Sequence, residues 1–284
     1  MTADVQPSVP RRSRPRWWRW LRNLVLAYLG VLVVLLALER SFIYHPVTAA
    51  EEWAEPPDPR IRDVELMSAT GDRIHAWWLP VEGATGAVLY AHGNAGNLSH
   101  RGGSVVRWAE GLNSSVLIYD YPGYGRSTGA ASEPTCYAAA EAAWDWLTQE
   151  QKIAPSRILL LGASLGGATA CELASRHDCR GVVLVKAFTS IPDMAQTMFP
   201  WLPARYLVRH RYDNLAKLPH IRRPVFVVHG TGDTVIPFRH GERLFAAANE
   251  PKEFLRLDGD EHNMPLPDDF FDRLRRFLSA HPPE

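Results

Sequence analysis

The sequence predicts an α/β fold in which helices cover both faces of a mostly parallel, eight-stranded sheet. Three observations predict it. Short apolar runs recur along the chain, helix-compatible stretches separate them, and a Gly-x-Ser-x-Gly turn joins one apolar run directly to the next helix. Strands buried on both faces are continuous apolar runs, because the covering helices shield them from water. One catalytic domain preceded by a short N-terminal region accounts for the 284 residues.

The N-terminal region begins with a basic tail, predicted over residues 1–19. Six arginines occur between Arg11 and Arg22, and three tryptophans lie among them. The run from Leu24 to Leu38 carries no charge, and residues 20–40 approach the ~20 residues that a bilayer-spanning helix needs. Arginine-rich flanks stay on the cytoplasmic side. We therefore expect an uncleaved, single-pass signal anchor that places the catalytic domain on the non-cytoplasmic side, which is periplasmic or extracytoplasmic in a bacterium.

Two other interpretations compete for this segment. A buried amphipathic helix is disfavoured because the run has no polar face. A cleaved signal peptide stays open, since Val47-Thr48-Ala49 is compatible with a cleavage site, although Glu39 and Arg40 separate it from the apolar run. Residues 41–60 contain four prolines among acidic residues, which favours an extended juxtamembrane linker.

The catalytic domain is predicted over residues 61–284. It opens with an antiparallel pair, Val64–Met67 and Arg73–Leu79, joined by a turn at Gly71. Six more strands are predicted, at Ala87–Ala91, Val116–Tyr119, Ile158–Leu161, Val182–Val185, Val225–Val228 and Glu253–Leu257. Helices are predicted at Asn97–Glu110, Glu133–Gln149, Gly166–Arg176, Arg239–Asn249 and Asp268–Ser279.

One connection, at about residues 190–223, is longer than the others and rich in large apolar side chains. Connections of this length in a compact domain are often lids over a binding site. We expect Met198, Phe199 and Trp201 to contact an apolar substrate. The alternative is that these side chains only pad the outer face of the helix layer.

Ser164 is the predicted nucleophile. It lies in the turn Gly162-Ala163-Ser164-Leu165-Gly166, between an apolar strand and a run of small, helix-compatible residues. Such a turn holds the serine in a strained backbone conformation that lifts its hydroxyl above the sheet, and the glycines are required because side chains would collide there.

A serine hydroxyl needs a base and a third group that orients the base. His262 follows the last strand on a short loop, so it falls at the same edge of the sheet as Ser164. Asp233 follows the preceding strand and is the predicted orienting acid. Asp260 and Glu261 are alternatives, interpreted here as solvated loop charges.

The segments that carry Ser164, Asp233 and His262 resemble the three catalytic segments of the α/β-hydrolase superfamily. The resemblance covers the chain from Ile61 to the C-terminus. The string His92-Gly93-Asn94-Ala95-Gly96-Asn97, together with the N-terminal anchor, resembles a membrane-anchored subfamily that includes fungal cell-polarity hydrolases and mammalian depalmitoylase-like hydrolases. The resemblance implies an oxyanion hole made by the backbone N–H groups of Leu165 and Asn94, with Ala95 as the alternative to Asn94.

Composition limits the remaining function classes. The formal net charge is zero, which argues against a nucleic-acid partner. Cys136, Cys171 and Cys179 show no metal-binding spacing and are interpreted as buried thiols. The predicted Ser-His-Asp chemistry requires neither a metal nor an organic cofactor. The expected partners are an acyl substrate and a membrane, and the sequence carries no signal for an oligomeric state. The predicted function is hydrolysis of a carboxylic ester or thioester, with an acyltransferase, a serine peptidase and a non-catalytic membrane scaffold as alternatives.

Overall fold

The computed structural model describes residues 16–84 and 86–283, and these residues form two compact units that divide between Glu39 and Arg40. The first unit contains helix α1 (Arg16–Ala37), none of whose residues is buried. At 1.5 Å per residue its 22 residues extend ~33 Å, about the thickness of a bilayer core. It is long and apolar enough to span a membrane, a property that signal sequences share. The predicted tail residues Arg11, Arg12 and Arg14 lie outside the described residues.

The second unit is built on the predicted eight-stranded sheet. Its strands are β1 (Arg62–Met67), β2 (Arg73–Leu79), β3 (Ala87–Ala91), β4 (Ser115–Tyr119), β5 (Ile158–Ala163), β6 (Gly181–Val185), β7 (Val225–Gly230) and β8 (Lys252–Leu257). Their order across the sheet is β8-β7-β6-β5-β3-β4-β2-β1. Only β1 pairs antiparallel to β2, and β2 antiparallel to β4; every other pairing is parallel.

Helices cover both faces of the sheet, as the sequence predicts. A short helix, α2 (Glu39–Ile43), precedes the sheet. The helices that follow are α3 (Gly102–Leu112), α4 (Glu133–Asp145), α5 (Gly166–Arg176), α6 (Ile191–Met198), α7 (Ala204–Leu207), α8 (Asn214–Lys217), α9 (Arg239–Ala247) and α10 (Phe270–Ala280). One core lies beneath α3 and α10, and the other beneath α4, α5 and α9. Neighbouring strand residues therefore divide between the two cores: Leu160 of β5 points into one and Leu161 into the other.

The segment predicted as an extended linker is packed on the second unit both near its start and at Trp53, whose ring lies edge-on against Trp77. His45–Pro46 pairs in parallel with Ala95–Gly96, and Thr48 bridges to Gly125. Ile43 and Tyr44 are buried. The prolines and acidic residues of this segment are mostly exposed. The buried Ile43 and Tyr44 precede most of them and attach the chain to the loop after β3.

Candidate active site

Ser164 lies in a sharp turn between β5 and α5, with a backbone φ of +52°. A non-glycine residue rarely adopts this left-handed conformation. The glycines on either side make the turn possible, because a Cβ on Gly166 would overlap the carbonyl oxygen of Ala91 and a Cβ on Gly162 would overlap the backbone of Gly166. The predicted turn geometry is therefore present, with the serine at its apex and the start of α5 immediately behind it.

Asp233 and His262 are joined by a hydrogen bond of 2.7 Å between Asp233 Oδ2 and His262 Nδ1. The other carboxylate oxygen, Oδ1, accepts the backbone N–H groups of Val235 at 2.9 Å and Ile236 at 2.7 Å. The Asp233 side chain is fully buried, whereas that of His262 is 14% exposed. The structure thus brings together two of the three predicted residues, although 29 positions separate them in the chain.

The ionisation state of Asp233 follows from these contacts. Burial alone raises the pKa of its carboxyl group, but the hydrogen bonds from His262 and from the backbone of Ile236 outweigh burial and hold that pKa below its usual value. An ionised carboxylate can only accept hydrogen bonds, so Nδ1 of His262 carries the proton. In the neutral imidazole with this tautomer, the second ring nitrogen, Nε2, has the lone pair that can accept a proton from a hydroxyl group.

The third predicted contact, between Ser164 and His262, is not formed as a hydrogen bond among the described residues. Catalytic hydrogen bonds are often long in free enzymes and shorten when substrate binds. The segments nevertheless converge: the backbone N–H of Ser164 donates to Val185 at the end of β6, and the next residue, Lys186, bonds to the loop that carries His262. The proton-transfer contact itself stays a prediction.

The predicted oxyanion-hole residues lie on two fixed loops. Among the hydrogen bonds of the described residues, neither Leu165 nor Asn94 uses its backbone N–H as a donor. The Asn94 side chain donates to the backbone carbonyl of Ile43 at 2.9 Å, and the backbone carbonyl of Asn94 accepts the hydroxyl of Tyr124 at 2.7 Å. A Cβ on the preceding Gly93 would lie 3.5 Å from Cβ of Ser164. The loop after β3 therefore runs beside the serine with an amide available to a ligand.

Two further histidines, His92 and His229, are buried close to this site. His92 Nε2 lies 3.3 Å from Asp120 Oδ1, and both side chains are inaccessible to solvent. His229 Nε2 donates to the carbonyl of Ile236 at 2.8 Å and lies 3.5 Å from Asp233 Oδ2. Burial lowers the pKa of His229, so this second imidazole beside the carboxylate is neutral at physiological pH.

The interpretation of Asp260 as a solvated charge is wrong. Its Oδ2 lies 2.6 Å from Nζ of Lys186, and the two side chains are 12% and 3% exposed. Glu261 is exposed, as expected. Sequence reasoning missed Lys186, and the available signal was a lone lysine directly after the apolar run of β6.

The predicted lid segment contains α6, α7 and α8. The side chains of Met198 and Trp201 are exposed, and Phe199 packs edge-on against Phe42 with ring centroids 6.2 Å apart. The backbone N–H of Tyr212 donates to Glu133 at the start of α4, which attaches the end of the segment to the helix layer.

The three cysteines are buried and unpaired by disulfides, and burial raises the pKa of each thiol to about 12. Such thiols are not nucleophilic at neutral pH. Among the described residues no group of three or more His, Cys, Asp and Glu side chains has an arrangement that could hold a metal ion.

Comparisons with known proteins agree with this architecture. The family model described as alpha/beta hydrolase fold matches residues 86–216. An uncharacterised protein of Mycobacterium tuberculosis is 37% identical over 255 residues, which cover 88% of this chain and 90% of that protein. The chain belongs to the α/β-hydrolase superfamily.

Two further similarities extend the comparison. The human alpha/beta hydrolase domain-containing protein 17B is 34% identical over 193 residues, 68% of this chain and 66% of that protein. The Pyrococcus furiosus esterase Pf2001 superimposes with a TM-score of 0.69 at 19% identity, over 84% of this chain and 98% of the esterase chain. The likeness to the esterase is one of fold. At the level of class, family membership supports a hydrolase.

Proposed function

We propose that this α/β hydrolase is a membrane-anchored serine hydrolase that cleaves a carboxylic ester or thioester through an acyl-enzyme intermediate. One observation carries the proposal. Asp233 fixes His262 in the tautomer that leaves Nε2 free to accept a proton, at the same sheet edge where Ser164 stands on a left-handed turn.

In the proposed mechanism Ser164 attacks the substrate carbonyl while His262 accepts its proton. The negative charge that develops on the carbonyl oxygen is stabilised by the N–H groups of Leu165 and Asn94, and one such donor is worth about 2.7–4 kcal/mol of barrier in known cases. His262 then protonates the leaving alcohol or thiol, so the acyl group stays on Ser164. Water, deprotonated by His262, releases the acid and regenerates the serine.

The substrate class is proposed from the segment at residues 190–223. Met198 and Trp201 present apolar surface on its exposed side, and the neighbouring Phe199 is half-buried. Surface of this kind suits an acyl chain, because each methylene removed from water contributes about 0.8 kcal/mol. An ester or thioester is favoured over a peptide, since the segment shows no acidic cluster for a free amine.

Helix α1 is the proposed membrane anchor, with its arginine-rich side in the cytoplasm. The proposal rests on its length, its apolar composition and the arginines before it. A C-terminal fusion to a reporter that is active only outside the cytoplasm tests it. Activity of the reporter supports the orientation, and silence of a stably expressed fusion refutes it.

Labelling with a fluorophosphonate tests the proposed nucleophile. We expect one adduct on the full-length protein, located at Ser164 by mass spectrometry and lost in Ser164→Ala. The matched control Ser156→Ala changes a partly buried serine in the turn before β5 and should leave labelling intact.

Turnover of p-nitrophenyl esters of increasing chain length, with and without an alcohol acceptor, then separates hydrolysis from acyl transfer. An aminoacyl nitroanilide tests for peptidase activity. If folded wild-type protein forms no fluorophosphonate adduct, the serine-hydrolase proposal is refuted in favour of a scaffold.

A further inference from the structure

Lys186 makes an unusual set of contacts for a lysine that follows a core strand. Its backbone has a φ of +49°, which is rare for a residue with a side chain, and the side chain is almost completely buried. Strained backbone of this kind persists only where surrounding contacts hold it, and it concentrates at functional sites.

The Lys186 ammonium group has two hydrogen bonds and one ion pair, all to the same loop. Nζ donates to the carbonyl of Glu261, to the carbonyl of Met264 at 3.0 Å, and lies 2.6 Å from the carboxylate of Asp260. These acceptors flank His262 on both sides. Two of its N–H donors are thus used in hydrogen bonds to carbonyls, and its positive charge is balanced by the Asp260 carboxylate.

The backbone around Lys186 is bonded to the other two segments of the proposed triad. Its N–H donates to the carbonyl of Val228 at 2.8 Å, two residues before the end of β7, the strand that leads to Asp233. The preceding carbonyl, of Val185, accepts the N–H of Ser164 at 2.9 Å. The chain at residues 185–186 is therefore hydrogen-bonded to the serine turn, to the strand before the acid and to the histidine loop.

The acid loop and the histidine loop are also joined directly. The carbonyl of Asp260 accepts the N–H of Gly232 at 3.0 Å, and the hydroxyl of Thr231 accepts the N–H of Gly259 at 2.8 Å. These bonds fix one end of the histidine loop relative to Asp233. On the other side of His262, Lys186 donates to the carbonyl of Met264, and Arg107 donates to the carbonyl of Leu266 farther along the chain at 2.6 Å. Lys186 is therefore the side-chain donor nearest to His262 on that side among the described residues.

We propose that Lys186 is the positioning residue of the proposed hydrolase: its buried ammonium group holds the loop on both sides of His262 and so keeps the imidazole aligned with Ser164. The inference rests on the proposed function. Neutralising Asp260 is part of this role but does not explain it, because two of the three acceptors are uncharged carbonyls.

The test compares full-length variants in detergent by kcat, KM and the rate of fluorophosphonate labelling. Lys186→Met alone would leave the Asp260 carboxylate buried without its cation, so the informative variant is Lys186→Met combined with Asp260→Asn. We expect kcat and the labelling rate to fall about 100-fold, the effect of an ~1 Å misplacement of a catalytic group, with KM changed less than about threefold. Asp260→Asn alone leaves the Lys186 ammonium group without its counter-charge and should lower stability, but it keeps both carbonyl contacts and should lower kcat less than about fivefold.

A matched control is available just before the start of the same strand. Arg180 precedes β6, and its guanidinium group donates to the carbonyls of His281 and Leu278 at the other edge of the sheet. Arg180→Met removes a cation that holds two carbonyls far from the proposed triad, and kcat should stay within about twofold of wild type.

The outcomes separate this inference from the proposed function. Wild-type protein that forms no adduct at Ser164 refutes the function itself. A labelled wild type together with a folded double variant of unchanged kcat and labelling rate overturns only the role of Lys186. If the double variant does not fold, Lys186→Gln with Asp260→Asn retains an amide donor on a shorter chain. We expect that variant to lose kcat, and unchanged kcat in it overturns the inference equally.

Discussion

Asp233→Asn tests the proposed triad most sharply, because the structure dictates how the new amide must sit. Oδ1 of Asp233 accepts two backbone N–H groups, from Val235 and Ile236, and Oδ2 faces His262. The asparagine must keep its oxygen toward the two N–H groups, since the opposite orientation sets its NH2 group against two donors. Its NH2 group then faces Nδ1 of His262.

That orientation forces the wrong tautomer on the imidazole. Nδ1 becomes the acceptor, the proton moves to Nε2, and the ring can no longer accept a proton from Ser164. The same change in a known serine hydrolase lowers kcat about 10⁴-fold, or about 5.5 kcal/mol at 1.36 kcal/mol per factor of ten. Because both N–H groups keep their acceptor, the free energy of unfolding should fall by only about 1–2 kcal/mol.

The assay is kcat/KM for a p-nitrophenyl ester alongside the fluorophosphonate labelling rate. We expect both to fall about 10³–10⁴-fold in Asp233→Asn. The control Asp258→Asn changes an exposed carboxylate just before the histidine loop and should stay within about twofold of wild type. A folded Asp233→Asn protein that keeps more than a tenth of wild-type activity would refute the assignment and reopen the case for a different acid.

Three further predictions address the turn, the pH dependence of stability and the substrate. Gly166→Ala forces a Cβ against the backbone at the end of β3, so it should cost on the order of 3 kcal/mol of stability and abolish labelling. The control Gly103→Ala has open space around its Cα in helix α3 and should be neutral or stabilising by up to about 1 kcal/mol. Thermal unfolding of both variants measures the difference, and equal effects would contradict the prediction. Burial lowers the pKa of His240 to about 4, so the unfolded state binds more protons between pH 6.5 and 4, and about 3 kcal/mol of stability present above pH 6.5 is lost as the pH falls to 4. Denaturation midpoints of wild type and His240→Gln should converge in that acid window, and an unchanged pH slope in the variant would count against this account. Trp201→Ser should lower kcat/KM about tenfold for a p-nitrophenyl dodecanoate and little for the acetate; a parallel loss on both esters would exclude a role in binding the acyl chain.

The sequence predicts the sheet well because burial on both faces leaves a strong local signal. The runs at Ala87–Ala91 and Ile158–Leu161 are apolar throughout, and they form adjacent central strands. Local context also predicts Asp233 and His262, because each follows a strand and the carboxyl ends of parallel strands lie at the same edge of the sheet. The order of strands along the chain was therefore sufficient to predict their contact.

What the sequence did not reveal depends on contacts between distant residues. Lys186 meets Glu261 across 75 positions, and nothing near either residue indicates the partner. For the same reason Asp260 resembled an ordinary loop charge, although its partner is a buried cation. The burial of Ile43 and Tyr44 leaves no local signal, because it depends on a loop about 50 positions away. The prolines and acidic residues that follow them dominate the composition of residues 41–60 and indicate an exposed segment.

The two halves of the proposed site are built by different physical means. Ser164 is fixed by its own backbone, in a turn where glycines leave no space for another arrangement. The loop of His262 is joined to the acid loop by backbone hydrogen bonds at its start, but His262 and its neighbours are held by side chains, with Asp233 at the ring and Lys186 at the residues on both sides. Backbone strain cannot relax without unfolding the turn, whereas a loop held by a few polar contacts can shift by a fraction of an ångström. The distance between Ser164 and His262 therefore depends mainly on the position of the histidine loop. Substitutions that alter kcat without unfolding the protein should mostly affect residues that hold this loop.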